Sequence, residues 1–374
     1  MKKRLLVLLL SIFPFFLTGC WSYLGVDEIT IVTGLAIDKD ENENYKLTFE
    51  VIDLTKSNKE TGIAVSQVTS NGETILEAVR DARRTSSSKL YFSHTQIIIV
   101  NSEIAQNEGL NAIMNFFIRD ENVRETIKVV ISGEENAASL LNAKGITNSI
   151  ISYKMLEIIE DVEDSNLYST EVQLYEIINI LNGEGMELIL PVFKKVQVEE
   201  NEYVSLSGTA AFNKDKMHSF LTAEETKYLL FALDKVEGGV LNVNMEDESN
   251  LVIEIYKNKT KIDYEYKNDM LKFFLDINMQ CLVREITNQK QKIDGEWIQQ
   301  TEKLIEQFLK NEIEKSIKKI QEEGIYDILR FGNKIYKTEP KLWENLKKDW
   351  DKKFSTIEVE VNPKVIIKNT SFTK

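Results

Sequence analysis

The chain has little of the side-chain chemistry from which most metal and catalytic centres are built. Its 374 residues contain two histidines and two cysteines. His94 and His218 stand far apart, with no Cys or paired carboxylates beside them at ligand spacing, which argues against a histidine-based metal site. No Gly-x-Ser-x-Gly elbow is present, and no glycine-rich phosphate loop ending in Lys-Ser/Thr. Gly183-Glu184-Gly185 reads as a loop between a helix and a strand, not as a nucleotide fingerprint. No repeat of fixed period and no low-complexity segment occurs. After the N-terminus no apolar run is long enough to span a bilayer. The sixty acidic residues guarantee neighbouring carboxylates somewhere, but nothing in their spacing singles out a glycosidase-like pair. These absences point to a protein without a catalytic centre and without a cofactor.

What is present begins at the N-terminus. Met1-Lys2-Lys3-Arg4 is a short positive head, and Leu5 to Leu17 is an apolar run interrupted by Ser11. A membrane-spanning helix takes about 20 residues, so this run is the layout of a secretory signal peptide. It ends in Leu17-Thr18-Gly19-Cys20, which resembles a bacterial lipobox. Small residues before the cysteine give a peptidase access to the backbone, and the Cys20 thiolate is the nucleophile able to take a diacylglyceryl group. The alternative is a plain signal peptide with a chance cysteine at its end. Two acyl chains suffice for stable anchoring, since each buried CH2 contributes roughly 0.8 kcal/mol.

Loss of Lys2, Lys3 and Arg4 with the leader takes the formal charge from −14 to −17. Such a body is repelled by anionic headgroups and by nucleic acid, so a basic surface contact does not hold it to a membrane and nucleic acid is not a partner. If Cys20 carries lipid, no internal disulfide remains to be formed, and Cys281, in NMQCLVREI, reads as a small buried apolar residue.

Strand-like and helix-like segments alternate without a regular βαβ rhythm. ITIVTGLAI (29–37) reads as a buried strand and YKLTFEVIDL (45–54) as a half-buried one, while 55–71 reads as a polar loop. Thr74 with Glu77, and Thr222 with Glu225, have capping-box spacing ahead of helices. Pro191, in ELILPVFKKVQV, suggests an edge strand or a linker. A long amphipathic helix opens the segment from 295, with Trp297, Leu304, Ile305, Phe308 and Leu309 on its buried face. The expected fold class is α+β, with two mixed domains (or three) of mostly antiparallel or mixed sheets flanked by helices. The expected division is a leader at 1–19, an N-terminal domain at 20–195 and a C-terminal domain at 203–374. His94 sits in a strand-like run and reads as a buried imidazole bonded to backbone or an acid, the alternative being a titrating switch.

Several segments converge on one family. GCW at 19–21, IVTGLAID (31–38), EAVRDARRTSSSKLYFSHTQIIIVNSEIAQNEGL (77–110) and RDENVRE (119–125) stand in order in the first half. AAFNKDKMHSFLTAEET (210–226) and QEEGIYDILRFGNKIYKTEPKLWENLKKDWDKKFSTIEVEVN (321–362) follow in the second. With Gln321, Asp327, Gly332, Pro340, Trp343, Trp350 and Phe354 in matching order and spacing, the chain resembles the Ger(x)C family, the lipoprotein C subunits of nutrient germinant receptors in bacterial endospores. It departs from the family pattern at Ser22, Ser219, Tyr228 and Ser371, which puts local turns in doubt.

The resemblance implies a non-enzymatic role: a scaffold or regulator, lipid-anchored at Cys20 to the outer face of the spore inner membrane. Its implied partners are a multi-span A subunit and a transporter-like B subunit of the same receptor. Arg119, Asp120 and Arg124, with His94, Gln321, Asp327 and Trp343, are the candidate residues for a structural brace or an interaction surface. Trp343 and Trp350, seven residues apart, are expected on one face of a helix, and Gly332 in a tight turn. The rival from another class is a lipid-anchored solute-binding protein of the cell envelope, and an envelope hydrolase ranks after it.

Overall fold

The computed structural model describes residues 29–370 apart from 54–56, 58–61, 87, 146–149, 161–166, 169–170, 246–249 and 288–292. The leader and Cys20 lie outside the described residues.

The first sheet is centred on apolar runs. β1 (Ile29–Lys39), β2 (Tyr45–Ile52), β3 (Val65–Gly72), β4 (Lys89–Tyr91), β5 (Ile97–Asn101), β6 (Lys128–Ser132), β7 (Ile189–Val198), β8 (Asn201–Asn213) and β9 (Lys216–Thr222) form one sheet. Its order is β3-β2-β1-β5-β6-β7-β8-β9, with β4 pairing the start of β1. β1, β5, β6 and β7 run parallel, and the flanking pairs β1–β2, β2–β3, β7–β8 and β8–β9 are antiparallel. Parallel strands are covered on both faces, which is why IIIV (97–100) and VVI (129–131) are continuous rather than alternating. Ile98, Val100, Val129 and Ile131 face one core; Ile97, Ile99 and Val130 face the other. Helices α1 (Ile75–Ala82), α2 (Ser102–Asn107), α3 (Asn111–Arg119), α4 (Ile151–Glu160) and α5 (Leu174–Leu181) supply the covering layers. Thr74 caps α1 through the Glu77 N–H at 3.2 Å, at the spacing read from sequence.

Two local expectations are corrected. The polar stretch 55–71 contains strand β3, an edge strand tied to α1 by Ser70 Oγ donating to the Ala78 carbonyl at 2.7 Å. An edge strand with one face in water needs few apolar residues, so VSQVTSNG carries almost no strand signature. Pro191 lies in an interior strand. It is tolerated because β6 pairs β7 only at Val192 and Phe193, while Val172 and Gln173 bond β6 at the level below. The β7–β8 hairpin turns at 199–200 inside this sheet, so strands from both sides of position 195 build it.

The second sheet is β10 (Gly239–Asn244), β11 (Asn250–Lys267), β12 (Met270–Ile286) and β13 (Glu358–Thr370), in that order, with β13 parallel to β12. Between the sheets in sequence lies α6 (Ala223–Ala232), opened by a complete Thr222–Glu225 capping box. After β12 comes α7 (Gly295–Glu322), then α8 (Phe331–Thr338), α9 (Pro340–Leu346) and α10 (Trp350–Phe354). α7 buries Trp297, Ile305, Leu309, Ile313, Ile317 and Ile320 against the same core as Phe273, Leu275, Ile277 and Cys281. Each such side chain contributes about 1.5–3 kcal/mol by leaving water. Phe273 stacks on Phe331 with centroids 4.1 Å apart, joining this sheet to α8.

The charged side of α7 also has a use. The Ile367 and Val365 N–H groups donate to Glu302 Oε1 and Glu306 Oε1, each at 2.9 Å, and the Val361 N–H approaches Glu314 Oε1 at 3.5 Å. Four residues along a helix advance about 6 Å and two along a strand about 6.6 Å, so the two ladders stay in step. The missing rung is also matched. Continuing the helix step from Glu306 gives Lys310, and continuing the strand step from Val365 gives Pro363, which has no N–H to satisfy. Helix carboxylates thus stand where a fifth strand would pair with β13.

Candidate functional site

The motif IVTGLAID acquires physical reasons on β1. Glu50, 1 % exposed on the neighbouring β2, accepts from the Ile151 N–H at 2.7 Å, the Ser152 N–H at 3.1 Å and Thr33 Oγ1 at 2.8 Å. Ser152 Oγ donates to the same carboxylate. A carboxylate satisfying the first N–H groups of α4 complements the positive end of that helix. A Cβ on Gly34 would lie 2.5 Å from the Ser152 Cβ, so glycine is what admits α4 this close to β1. Asp38 ends the motif and is also buried. It accepts from Ala137 N at 2.7 Å, Ala138 N at 3.0 Å and Asn101 Nδ2 at 3.0 Å, holding the start of the 3-10 turn Ala137–Asn142.

The second cluster lies where the C-terminal helices meet the loop before β7. Asp327, 2 % exposed, accepts from the Phe331 N–H at 3.0 Å, the Gly332 N–H at 2.7 Å and Trp350 Nε1 at 2.9 Å. Burial pushes its carboxyl up to about 6, against the pull of those donors. Trp343 Nε1 donates to Glu184 Oε2 at 2.9 Å. Asn333 donates its backbone N–H to the Gly185 carbonyl at 2.6 Å and its Nδ2 to the Glu184 carbonyl at 2.9 Å. Gln321, at the end of α7, donates through Nε2 to the carbonyls of Phe354 and Ile357 at 2.8 and 2.9 Å, tying α7 to the chain entering β13. Asp327 and Trp343 are therefore brought together through Trp350, while Gln321 fastens the end of α10 to α7.

Two expectations for this region change. Trp343 and Trp350 do not share a continuous α-helix: α9, the 3-10 turn Lys347–Asp349 and α10 divide the segment. Their rings still meet edge to face at 5.1 Å. The tight turn belongs to Arg330, in the left-handed region at φ 62°, and not to Gly332. Gly332 sits in the first turn of α8, where an added Cβ would lie 2.7 Å from the Trp343 ring and 3.0 Å from the Gly185 Cα. It is glycine because two backbones and an indole converge there.

The other sequence candidates sit elsewhere. His94 is exposed in the 3-10 turn Phe92–His94, its ring 6.1 Å from that of Tyr91, so the expected burial is corrected. The run 89–100 breaks into β4, this turn and β5, and the break turns the imidazole outward. Asp120 accepts from the Asn122 N–H at 2.9 Å and Asn122 Nδ2 at 3.1 Å, shaping the turn after α3. Arg119 and Arg124 are exposed, and neither forms an ion pair among the described residues. Cys281 is fully buried, and burial pushes its thiol up to about 12, the behaviour of a packing residue. Among the described residues no group of three or more His, Cys, Asp or Glu side chains is placed to hold a metal ion. The sequence reading missed Glu50, Asp38, Glu184 and Asn333. Glu50 and Asp38 meet partners about 100 residues away, a pairing no local pattern announces.

Comparison with known proteins gives concordant matches. Residues 23–195 match the spore germination protein N-terminal domain family, and residues 207–371 match the family described as spore germination B3/GerAC like, C-terminal. Spore germination protein A3 of Bacillus subtilis (strain 168) is 26% identical over 377 residues, covering 99% of this chain and 98% of that protein. Spore germination protein KC of the same organism is 23% identical over 394 residues, covering 99% and 96%. Spore germination protein B3 is 24% identical over 347 residues, covering 91% and 90%. The crystal structure of the GerBC protein shares the fold, with a TM-score of 0.61 at 19% identity over 90% of this chain and 97% of that one.

Proposed function

The chain belongs to the spore germination GerAC family, and from that membership we propose that it is the lipid-anchored C subunit of a nutrient germinant receptor. The observation that carries the proposal is that both family domains occur in order and together run from residue 23 to residue 371. The lipobox-like Leu17-Thr18-Gly19-Cys20 stands just before the first of them.

Among the described residues no helix is long and apolar enough to cross a membrane. A diacylglyceryl group on Cys20 supplies the attachment that the acidic body lacks. The tether keeps the body on the outer face of the spore inner membrane. It raises the body's effective concentration beside a multi-span A subunit and a transporter-like B subunit, so weak contacts suffice for assembly. The role is that of a scaffold or regulator, without catalysis. Its buried carboxylates Glu50, Asp38 and Asp327 are occupied by donors of the fold itself, which supports that reading.

The test is Cys20→Ala in sporulating cells, followed by fractionation of spores and germination assays. The protein should leave the membrane fraction, and germination should slow with one set of nutrients. Retention in the membrane together with normal germination on every nutrient refutes the proposal.

A further inference from the structure

A cavity of about 370 Å³ opens between the start of α3, the end of α5, the loop leading to β7 and the β8–β9 turn, a volume in the range of small-molecule sites. Its mouth is tied in place. The Leu110 N–H donates to the Asp215 carbonyl at 2.9 Å and Lys216 Nζ to the Asn107 carbonyl at 2.7 Å, fixing the turn to the α2–α3 connection. The loop brings in Glu187, a half-buried carboxylate. Its Oε2 accepts the Lys214 backbone N–H at 2.5 Å, and its Oε1 has no donor among the described residues. Lys214 lines the same cavity, but its exposed side chain forms no ion pair among the described residues.

The end of α5 adds acceptors beside Glu187. A helix C-terminus is the negative pole of its dipole. Asn182, the cap of α5, donates Nδ2 to the Ile178 carbonyl at 2.8 Å, which leaves Oδ1 as its free acceptor. Asp215 puts a second carboxylate in the wall, where it offsets the positive end of α3. Ile180, Leu181 and Met186 line the cavity with apolar surface.

We propose that this cavity is a binding site for a small ligand that carries a primary ammonium group on a compact apolar body. Glu187 Oε1 and Asn182 Oδ1 take the N–H donors, and Ile180, Leu181 and Met186 cover the body. A half-buried carboxylate without a cation is short of both a counter-charge and a donor, and an ammonium supplies the two together. An anionic ligand meets two carboxylates instead. Lys214 opposes the ligand by its like charge. Burial, the largest influence, pushes the Glu187 carboxyl up to about 7; Lys214 pulls it down through its N–H and its charge, and the charges of Asp351 and Asp327 push it up. The ligand takes the ionised form, so its affinity rises with pH through about 7. The site requires neither the lipid anchor nor the receptor partners.

The test is amide hydrogen exchange of the full chain at about pH 8, titrated with n-butylammonium chloride up to about 100 mM. Protection of segments 180–187 and 213–216 should rise by roughly tenfold when the amine reaches ten times its dissociation constant. Protection at Ile151–Ser152 should stay level. At about pH 6 the amine should bind about tenfold more weakly, because most of Glu187 is then protonated. Sodium butyrate has the wrong charge and tetramethylammonium has no N–H to give, so neither should protect. Norvaline separates two sources of the ammonium: tighter binding than the amine assigns a zwitterion, weaker binding a simple amine. In Glu187→Gln, which keeps an acceptor for the Lys214 N–H, the rise should vanish. In Lys214→Met it should come at lower amine concentration. No rise with the amine, an equal rise with butyrate or tetramethylammonium, or a Gln variant that responds like the native chain overturns the proposal.

Discussion

Glu50 and Asp327 do the same local job in two parts of the molecule. Each is a buried carboxylate without a salt bridge among the described residues, and each accepts the first two N–H groups of a helix: Ile151 and Ser152 of α4, Phe331 and Gly332 of α8. They differ in reach. Asp327 bonds backbone four and five residues ahead, while Glu50 bonds backbone 101 and 102 residues ahead. Asp327 organises a local corner and adds one long reach, to Trp350. Glu50 fastens a whole helix onto β1 and β2. The comparison teaches that one chemical device can serve as a turn former or as a tertiary clasp, depending only on where its donors lie in the sequence.

The comparison breaks most readily at Glu50. Glu50→Ala removes the acceptor for two backbone donors and two hydroxyls in a site that water does not reach. Unfolding in urea should show a loss of about 3–4 kcal/mol, the scale for leaving several buried polar groups unsatisfied. A loss below about 0.5 kcal/mol, the range of ordinary surface substitutions, contradicts the clasp.

Asp327→Ala should cost less, about 2 kcal/mol near neutral pH, because the variant also escapes the burial of a charge. The difference sharpens with pH. Asp327 is raised by burial to about 6 from an ordinary 3.8, so the folded protein binds this proton more tightly than the unfolded chain does. The group's contribution is fully present below the ordinary value and is lost as pH rises through about 6. The cost of Asp327→Ala should therefore grow between about pH 7.5 and about pH 5 in paired urea titrations, by about 1.4 kcal/mol, one pKa unit's worth. A cost that is flat or shrinks toward acid means the carboxylate is not buried as described.

The same contrast decides what was legible. The N-cap at Thr74, the capping box at Thr222, the apolar parallel strands and the buried stripe of α7 depend on neighbours in sequence, and they are readable there. So is the α+β texture, which follows from strands and helices interleaved without βαβ regularity. The cluster of Gln321, Asp327, Trp343 and Trp350 was reached through family resemblance; its chemistry shows only once the loop Gly183–Glu187 folds against it. Glu50 and Asp38 were invisible because an acid on a strand reads as an ordinary solvated residue until a distant helix start arrives. β3 was missed because an edge strand with a wet face needs few apolar residues. The tight turn expected at Gly332 falls at Arg330, because a close approach and a left-handed turn both favour glycine and sequence alone does not separate the two demands.

The account as a whole rests on this chain acting as a tethered subunit beside membrane-embedded partners. The most direct measurement is affinity capture of the full chain from detergent-solubilised spore inner membranes, followed by mass spectrometry of what accompanies it. The account predicts recovery with a multi-span subunit and a transporter-like subunit in constant ratio, and a diacylglyceryl-modified Cys20 at the mature N-terminus. Recovery of the lipidated chain alone, with no membrane protein at comparable abundance, contradicts it.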